Sequence, residues 1–314
     1  MFDFLTGGAW TPEQKIPSLS GKVIIVTGGN AGLGKETVLQ LAKHDPKEIF
    51  LAARTPSKAE AAISEIKQAV PNGNVTFLQL DLSSFESVKK AAEEFKGKSD
   101  RLDILVNNAG IMATPYSKTN EGYEIQFGTN HMGHALFTKL LLPTLLKTAE
   151  TPGSDVRVVN LSSEGHNMAP NDGILFDQAA LEKVGPWARY GQAKLANILH
   201  ARELQKHHPS LTATALHPGV IVTDLYNPFS STTFGGGAFK TLMGGMTKAG
   251  LLYDVPKGTR NQLWCAAADR ETVRGSHYWK PIGCKAAGSK YAQDEKLAER
   301  LWEWTEEELK KHGC

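Results

Sequence analysis

The amino-acid sequence predicts an α/β protein, a single domain built on a doubly wound parallel sheet. Three observations predict it. From Lys22 onward, short β-branched runs alternate with segments of helical period, the pattern of a parallel sheet covered by helices on both faces. A glycine-rich turn, Thr27-Gly28-Gly29-Asn30-Ala31-Gly32-Leu33-Gly34, separates the first run from the first helical segment. The chain has 314 residues, 41% hydrophobic and 22% charged, which suits one globule with a single large core.

Taken in order, the expected strands are Val23 to Thr27, Glu48 to Ala53, Val75 to Leu80, Ile104 to Val106, Val156 to Leu161 and Thr212 to Leu216. The glycine turn opens a helix at about Gly32. A C-terminal extension carries a helix from Lys257 to Asp269, a seventh strand from Ser276 to Trp279 and a last helix from Glu295 to Lys311, followed by Gly313. Two stretches break this rhythm. Residues 1–20 hold Pro12 and Pro17 and read as an arm lying on a body that runs from 21 to 314, with Trp10 as the candidate anchor. Residues 224–256 contain Gly235, Gly236, Gly237, Gly244, Gly245 and Gly250 among Phe and Met, and read as a substrate loop. Phe229, Phe234, Phe239, Leu242, Met243 and Met246 in it supply an apolar lid for a lipophilic substrate, unless they pack inward.

Several function classes fall away on composition. The formal net charge is +2 from 35 basic and 33 acidic residues without a basic run, so nucleic acid is not an expected partner. Three cysteines, Cys265, Cys284 and Cys314, lack metal spacing and form no disulfide framework, which fits a reducing, cytoplasmic setting. Met1 to Trp10 has no Lys or Arg and too short an apolar run for a signal peptide. The longest apolar stretch, Leu140 to Leu146, contains Pro143 and falls far below the ~20 residues of a membrane span. A homo-oligomer stays open.

The order strand, glycine turn, helix is the dinucleotide-binding arrangement of a Rossmann fold. Glycines let the backbone approach a pyrophosphate at the helix N-terminus, where unpaired N–H groups favour anions. Gly29-x4-Gly34-Lys35 also begins a P-loop, but Glu36 stands where a nucleotide triphosphatase needs Ser or Thr for magnesium. About twenty residues on, where an acidic residue would grip the ribose hydroxyl of NAD, the chain has Arg54 after Leu51-Ala52-Ala53, with Lys58 one turn later. A guanidinium suits a 2′-phosphate, so the expected cofactor is NADP(H).

Tyr190 and Lys194 fall on one helix face at i and i+4. Spacing alone is weak, because Tyr253 and Lys257 share it; Pro256 between those two disfavours a continuous helix and removes that pair. A phenol titrates near ~10, and using it at neutral pH takes about 4 kcal/mol of preferential phenolate stabilisation, which a neighbouring ammonium helps supply. Ser163 follows the fifth strand at the sheet's ligand-binding edge, where it is placed to hydrogen-bond a substrate oxygen. A hydrolase using Ser163 with His166 lacks any Gly-x-Ser-x-Gly elbow. His131 and His134 lack a further metal-ligand signature and read as helix packing.

On these residues the chain resembles a short-chain dehydrogenase/reductase, nearest to the retinol-dehydrogenase and WW-domain-oxidoreductase-like branch. The likeness runs from about Gly21 to the end. It rests on Thr27-Gly28-x3-Gly32-x-Gly34, Asp81-Leu82, Asn107-Asn108-Ala109-Gly110, Asn130, Ser162-Ser163, Tyr190-x3-Lys194 and Pro218-Gly219. The resemblance implies that Tyr190 gives or takes the proton and that Ser163, rather than the adjacent Ser162, holds the carbonyl oxygen. It implies that Lys194 binds the nicotinamide ribose and lowers the phenol's pKa, and that Asn130 holds a relay water. Gly28, Asn30, Gly32, Leu33 and Gly34 would then cradle the pyrophosphate, and Asp81 with Leu82 would meet the adenine. Asn108, Ala109 and Gly110 would line the cofactor cleft; Pro218, Gly219, Val220, Val222 and Thr223 would close over the nicotinamide. The interval of 27 positions between Ser163 and Tyr190 exceeds that of most of the family but is usual in this branch. The implied activity is NADP(H)-dependent interconversion of a carbonyl and an alcohol. The alternative from another class is an NADP(H)-sensing interaction protein without turnover, against which Ser163, Tyr190 and Lys194 all stand intact.

Overall fold

The computed structural model of the chain describes residues 10–221 and 253–313. Eight strands, β1 (Val23–Thr27), β2 (Glu48–Ala53), β3 (Val75–Gln79), β4 (Ile104–Asn107), β5 (Arg157–Leu161), β6 (Thr212–Leu216), β7 (Tyr278–Lys280) and β8 (Cys284–Lys285), form one sheet in the order β3-β2-β1-β4-β5-β6-β7-β8. All pairs are parallel except β7 with β8. The chain winds outward from β1 to β3 and returns to place β4 on the other side of β1. At that reversal the carboxyl ends of the strands leave the crevice in which such sheets bind ligands.

The helices are α1 (Pro12–Lys15), α2 (Gly32–Ala42), α3 (Pro56–Ala69), α4 (Phe85–Lys98), α5 (Ile125–Phe127), α6 (Gly133–Ala149), α7 (Pro186–His207), α8 (Val255–Ala267), α9 (Arg270–Arg274) and α10 (Glu295–Lys311). A π-turn at Gly128–Met132 joins α5 to α6. Strands β1 to β6 lie within a residue of the runs read from the sequence, and α10 has the expected bounds. The seventh strand starts two residues late, because the Ser276 hydroxyl bonds the Tyr278 backbone locally. With only two residues, β8 is too short to show an alternating period.

Helix α8 begins at Val255 rather than Lys257. Asp254 caps it, accepting from Lys257 N at 2.8 Å, and Pro256 sits in the first turn, where its missing N–H has no partner to lose. The glycine-rich segment therefore ends before residue 256. Residues 224–252 of it, with the six candidate lid residues, lie outside the described residues, as do Val222 and Thr223.

Both faces of the sheet are buried. Ile25, Phe50, Leu105 and Val158 pack with α4, α6, α7 and α10, while Ile24, Val26, Ile49, Leu51 and Val106 pack with α2, α3 and α8. Half-buried Trp10 packs on the second layer, in which Ile16 and Leu19 are buried. Among the described residues no helix is long and apolar enough to cross a membrane.

Candidate active site

The glycine turn and the carboxyl ends of β1, β2, β4 and β5 bound a cleft of about 400 Å³. Its floor admits only glycine. Gly28 has φ +65°, and a Cβ on Gly34 would lie 2.1 Å from the Gly28 carbonyl oxygen and 2.6 Å from Asn108 Nδ2. At the head of α2, Ala31 provides no side-chain cap and the first turn carries no acidic residue. Such a helix end, open and uncompensated, fits an anion such as a pyrophosphate. Lys35 does not reach the cleft: its Nζ pairs with Glu65 at 2.6 Å, so the P-loop reading finds no phosphate-binding lysine.

Gly28, Asn30, Gly32, Leu33 and Gly34 all line the cleft. Arg54, just past β2, and Lys58, in the first turn of α3, line it too; both are exposed and neither is paired with a carboxylate among the described residues. Asp81 and Leu82 form the wall after β3, where Asp81 Oδ1 accepts from Ser83 N at 2.9 Å and from its hydroxyl at 2.6 Å. Across the cleft, Asn108, Ala109 and Gly110 are tied to β1. The Thr27 hydroxyl accepts from Asn108 N and Ala109 N, each at 2.9 Å, and Asn108 Nδ2 donates to the Thr27 carbonyl at 2.7 Å. Pro218 and Gly219 close one side, whereas Val220 does not line the cleft and is 47% exposed.

Tyr190 and Lys194 lie on α7 with their side chains in the cleft wall. The Lys194 Nζ stands 5.7 Å from the Tyr190 ring centre and donates to the Leu161 carbonyl at 3.0 Å. Burial pushes its pKa down to about 8. Ser163 caps the short 3₁₀ helix Glu164–Met168, its Oγ accepting from Gly165 N at 3.0 Å. That contact takes a lone pair and leaves the hydroxyl proton available. Ser162 is engaged otherwise, donating to the Lys194 carbonyl at 2.7 Å, so of the two serines only Ser163 presents a hydroxyl not held by α7.

His166 does not serve the Ser163 hydroxyl. Its Nδ1 donates to the Ser163 carbonyl at 2.7 Å and its Nε2 accepts from Ser289 N at 2.9 Å, so the Ser–His nucleophile of the hydrolase reading is not formed. Asn130 is fully buried in the π-turn, behind the cleft wall rather than in it. Its amide clamps the Ile111 backbone, Oδ1 accepting from N at 2.8 Å and Nδ2 donating to O at 2.9 Å. A Cβ on Gly110 would sit 3.1 Å from Asn130 Oδ1 and 3.5 Å from Lys194 Nζ, so that glycine brings the two together.

Residues 22–233 match the short chain dehydrogenase family. The chain belongs to the short-chain dehydrogenase/reductase (SDR) family. It is 44% identical over 310 residues to the short-chain dehydrogenase/reductase drtF of Aspergillus calidoustus, spanning 94% of this chain and 96% of that one. Identity to mouse (Mus musculus) retinol dehydrogenase 12 is 37% over 317 residues, 95% of this chain and 89% of the relative. Among solved structures, one from Mycobacterium paratuberculosis superimposes with a TM-score of 0.72 at 30% identity, covering 96% of this chain and 97% of that one. The NADPH-bound carbonyl reductase from chicken fatty liver shares the fold, with a TM-score of 0.61 at 22% identity over 85% of this chain and 99% of its own.

Two glycines that seat Tyr190 carry no sequence signal of their own. A Cβ on Gly165 would come within 2.8 Å of Tyr190 Cε1, and one on Gly191 would lie 2.6 Å from Ala169 N and 2.7 Å from the Gly165 carbonyl. They let α7 press against the Ser163 turn. Gly191→Ala should therefore lift α7 off that turn and lower kcat by roughly tenfold or more, since small misplacements of reacting groups are costly. A variant with wild-type kcat would show that the backbone contact is slack. The second Tyr–Lys pair is a packing contact: Lys257 Nζ lies 4.3 Å from the Tyr253 ring centre, and the ring covers Gly219 from outside helix α8.

Proposed function

We propose that this SDR interconverts a carbonyl and an alcohol by hydride transfer with NADP(H), on a lipophilic ketone, aldehyde or secondary alcohol. The observation that carries the reading is the seating of Tyr190, a buried phenol beside the Lys194 ammonium, in the wall of a cleft that also contains an anion-binding glycine turn. When bound, NADP(H) supplies or accepts the hydride. The glycine turn would hold its pyrophosphate, Asp81 and Leu82 its adenine, and Asn108 to Gly110 the cleft wall against it. Pro218 and Gly219 would lie over the nicotinamide. Arg54 and Lys58, two cations without carboxylate partners among the described residues, favour a 2′-phosphate over a hydroxyl.

The protein's own part is proton handling. Ser163, with Oγ oriented by the Gly165 N–H, donates a hydrogen bond to the substrate oxygen. Tyr190 gives its proton to that oxygen in reduction and takes it back in oxidation. With a pKa of about 8, Lys194 is still cationic at neutral pH and favours the phenolate. Asn130 would hold the water that returns the proton to solvent.

An apolar surface flanks the phenol. Buried Met112 and Ala113 pack with Tyr190. The exposed large hydrophobics among the described residues are Met168, Trp187 and Val220, and the Trp187 ring centre lies 6.4 Å from that of Tyr190. A Cβ on Gly165 would lie 3.4 Å from Met168 Cε and 2.8 Å from Tyr190 Cε1, so Met168 and the phenol both border that glycine. Such a patch suits an apolar substituent next to the reacting carbon, and the name of retinol dehydrogenase 12 points to a lipophilic alcohol.

One assay tests the proposal: NADPH and NADH consumption across hydrophilic and lipophilic carbonyls, with Tyr190→Phe as control. NADPH and the lipophilic compounds should be preferred. The control should lose about 10²- to 10⁴-fold in rate, the range of general acid catalysis, while still binding NADPH. Equal use of NADH removes the Arg54 argument, and faster turnover of hydrophilic carbonyls removes the lipophilic one. An active control removes the role of Tyr190, whereas a wild type that binds NADPH and turns over no carbonyl restores the sensor reading.

A further inference from the structure

His134 is 4% exposed, and both of its ring nitrogens are bonded. Nδ1 lies 3.0 Å from the Asn130 carbonyl oxygen and Nε2 lies 2.8 Å from the Thr27 hydroxyl. A carbonyl only accepts, so Nδ1 carries the proton and Nε2 is bare. Thr27 must then donate to Nε2. Among the described residues the other acceptor near that hydroxyl, the Val106 carbonyl, is 3.4 Å away and comes second on distance. With its O–H donated to His134, Thr27 Oγ1 keeps two lone pairs, and these are the two that Asn108 N and Ala109 N use. Burial holds the imidazole neutral, its pKa pushed down to about 3, with Lys194 nearby opposing a second positive charge.

The result is an unbroken chain, Asn108 and Ala109 N–H to Thr27, Thr27 O–H to His134 and His134 N–H to the Asn130 carbonyl. It joins the end of β1 and the start of the glycine turn to the π-turn, an irregular helical element of the kind that often marks functional sites. Asn130 in turn grips Ile111, next to Gly110, on the cleft side. We propose that His134 is a positioning residue that locks Asn130 to the strand bearing the glycine turn, so that the cofactor-binding end and the proton-relay end of the cleft move as one body. This rests on the SDR mechanism proposed above and assigns work to a histidine that spacing alone marked as packing.

The test uses the full chain. Nitrogen-15 NMR of the histidine rings, without cofactor, should find His134 protonated at Nδ1 and bare at Nε2 across pH 5–8; the opposite tautomer or a protonated ring overturns the chain. In His134→Phe, which keeps a ring but neither bond, kcat should fall roughly 10- to 100-fold, the cost of ångström-scale misplacement, while KM and the NADPH Kd from fluorescence titration stay within about threefold. His134→Gln, with one donor and one acceptor, should recover most of kcat. A lower melting temperature with unchanged kcat would make His134 merely structural, and a parallel loss of NADPH affinity and kcat would make it support for the glycine turn alone; either overturns the proposal. If the wild type neither binds NADPH nor reduces any carbonyl, the SDR mechanism fails first, while the ring tautomer still reports on the hydrogen-bond chain.

Discussion

Lys194→Met should yield a protein that is more stable than the wild type at neutral pH and almost without activity. In the wild type, Lys194 is 3% exposed, and among the described residues its ammonium makes one hydrogen bond, to the Leu161 carbonyl. Its pKa falls from 10.5 to about 8 because burial disfavours the charge. The unfolded chain therefore binds more protons than the folded one between about pH 8 and 10.5, and stability rises with pH across that window. Below about pH 8 the lysine is charged in both states and folding bears the whole burden, about 3 kcal/mol from the pKa difference. Methionine fills a similar volume without a charge. Nor does it orphan the Leu161 carbonyl, which keeps Asn197 Nδ2 at 3.0 Å.

Denaturant titrations at pH 7 and pH 10 check this. The variant should gain about 1–3 kcal/mol at pH 7, less at pH 10, because the wild type recovers as its lysine deprotonates. Equal destabilisation at both pH values would mean that the ammonium stabilises the fold and that the burial argument is wrong. Activity should drop by about two to four orders of magnitude, as expected when a group that tunes a catalytic acid is removed. Stability lost to a buried charge is the cost of holding a cation beside the phenol, the usual opposition between an active site and its fold.

Sequence and structure agree where the signal is local. Strands β1, β2, β4, β5 and β6 are largely apolar runs buried on both faces, the glycine turn is punctuated by residues that only a tight turn requires, and α10 is capped by Asp294 at its start. The start of α8 lies two residues earlier than expected because one residue there has two meanings. Pro256 reads as a helix breaker in mid-segment and as a helix starter once Asp254 is seen capping. The site shows the same division. Tyr190, Lys194, Ser163 and the glycines are legible because chemistry restricts their type and spacing. By contrast, the choice between Ser162 and Ser163 depends on a bond to the Lys194 carbonyl on another element. His134 and Thr27 meet across 107 positions, a distance no local pattern encodes.

Arg189→Met should destabilise the fold by about 3–5 kcal/mol at pH 8, the range for breaking one side of a buried ion pair. Arg189 and Glu124 are 65 positions apart, yet their side chains are 4% and 0% exposed, with Arg189 Nε 3.0 Å from Glu124 Oε1. The guanidinium also donates to the Val184 carbonyl at 2.6 Å and the Thr114 carbonyl at 2.9 Å, while Glu124 Oε2 accepts from Gln126 N and Phe127 N. One ion pair thus joins the 111–116 loop, α5 and the start of α7, immediately before Tyr190. Burial raises the Glu124 pKa above 4.5 despite the backbone N–H groups and Arg189 opposing it. Without the arginine it should rise further. A carboxyl whose folded pKa exceeds its unfolded value loses stability as pH increases through the folded pKa, so the deficit of Arg189→Met should shrink between pH 8 and pH 5. Adding Glu124→Gln should recover part of the loss at pH 8, but not the two carbonyls left without donors. A deficit independent of pH, or a double variant no better than the single, would assign the cost to those carbonyls and not to the stranded charge. Because Met112 and Ala113, on the same loop, pack against Tyr190, the single variant should also raise KM for the carbonyl more than it changes NADPH affinity.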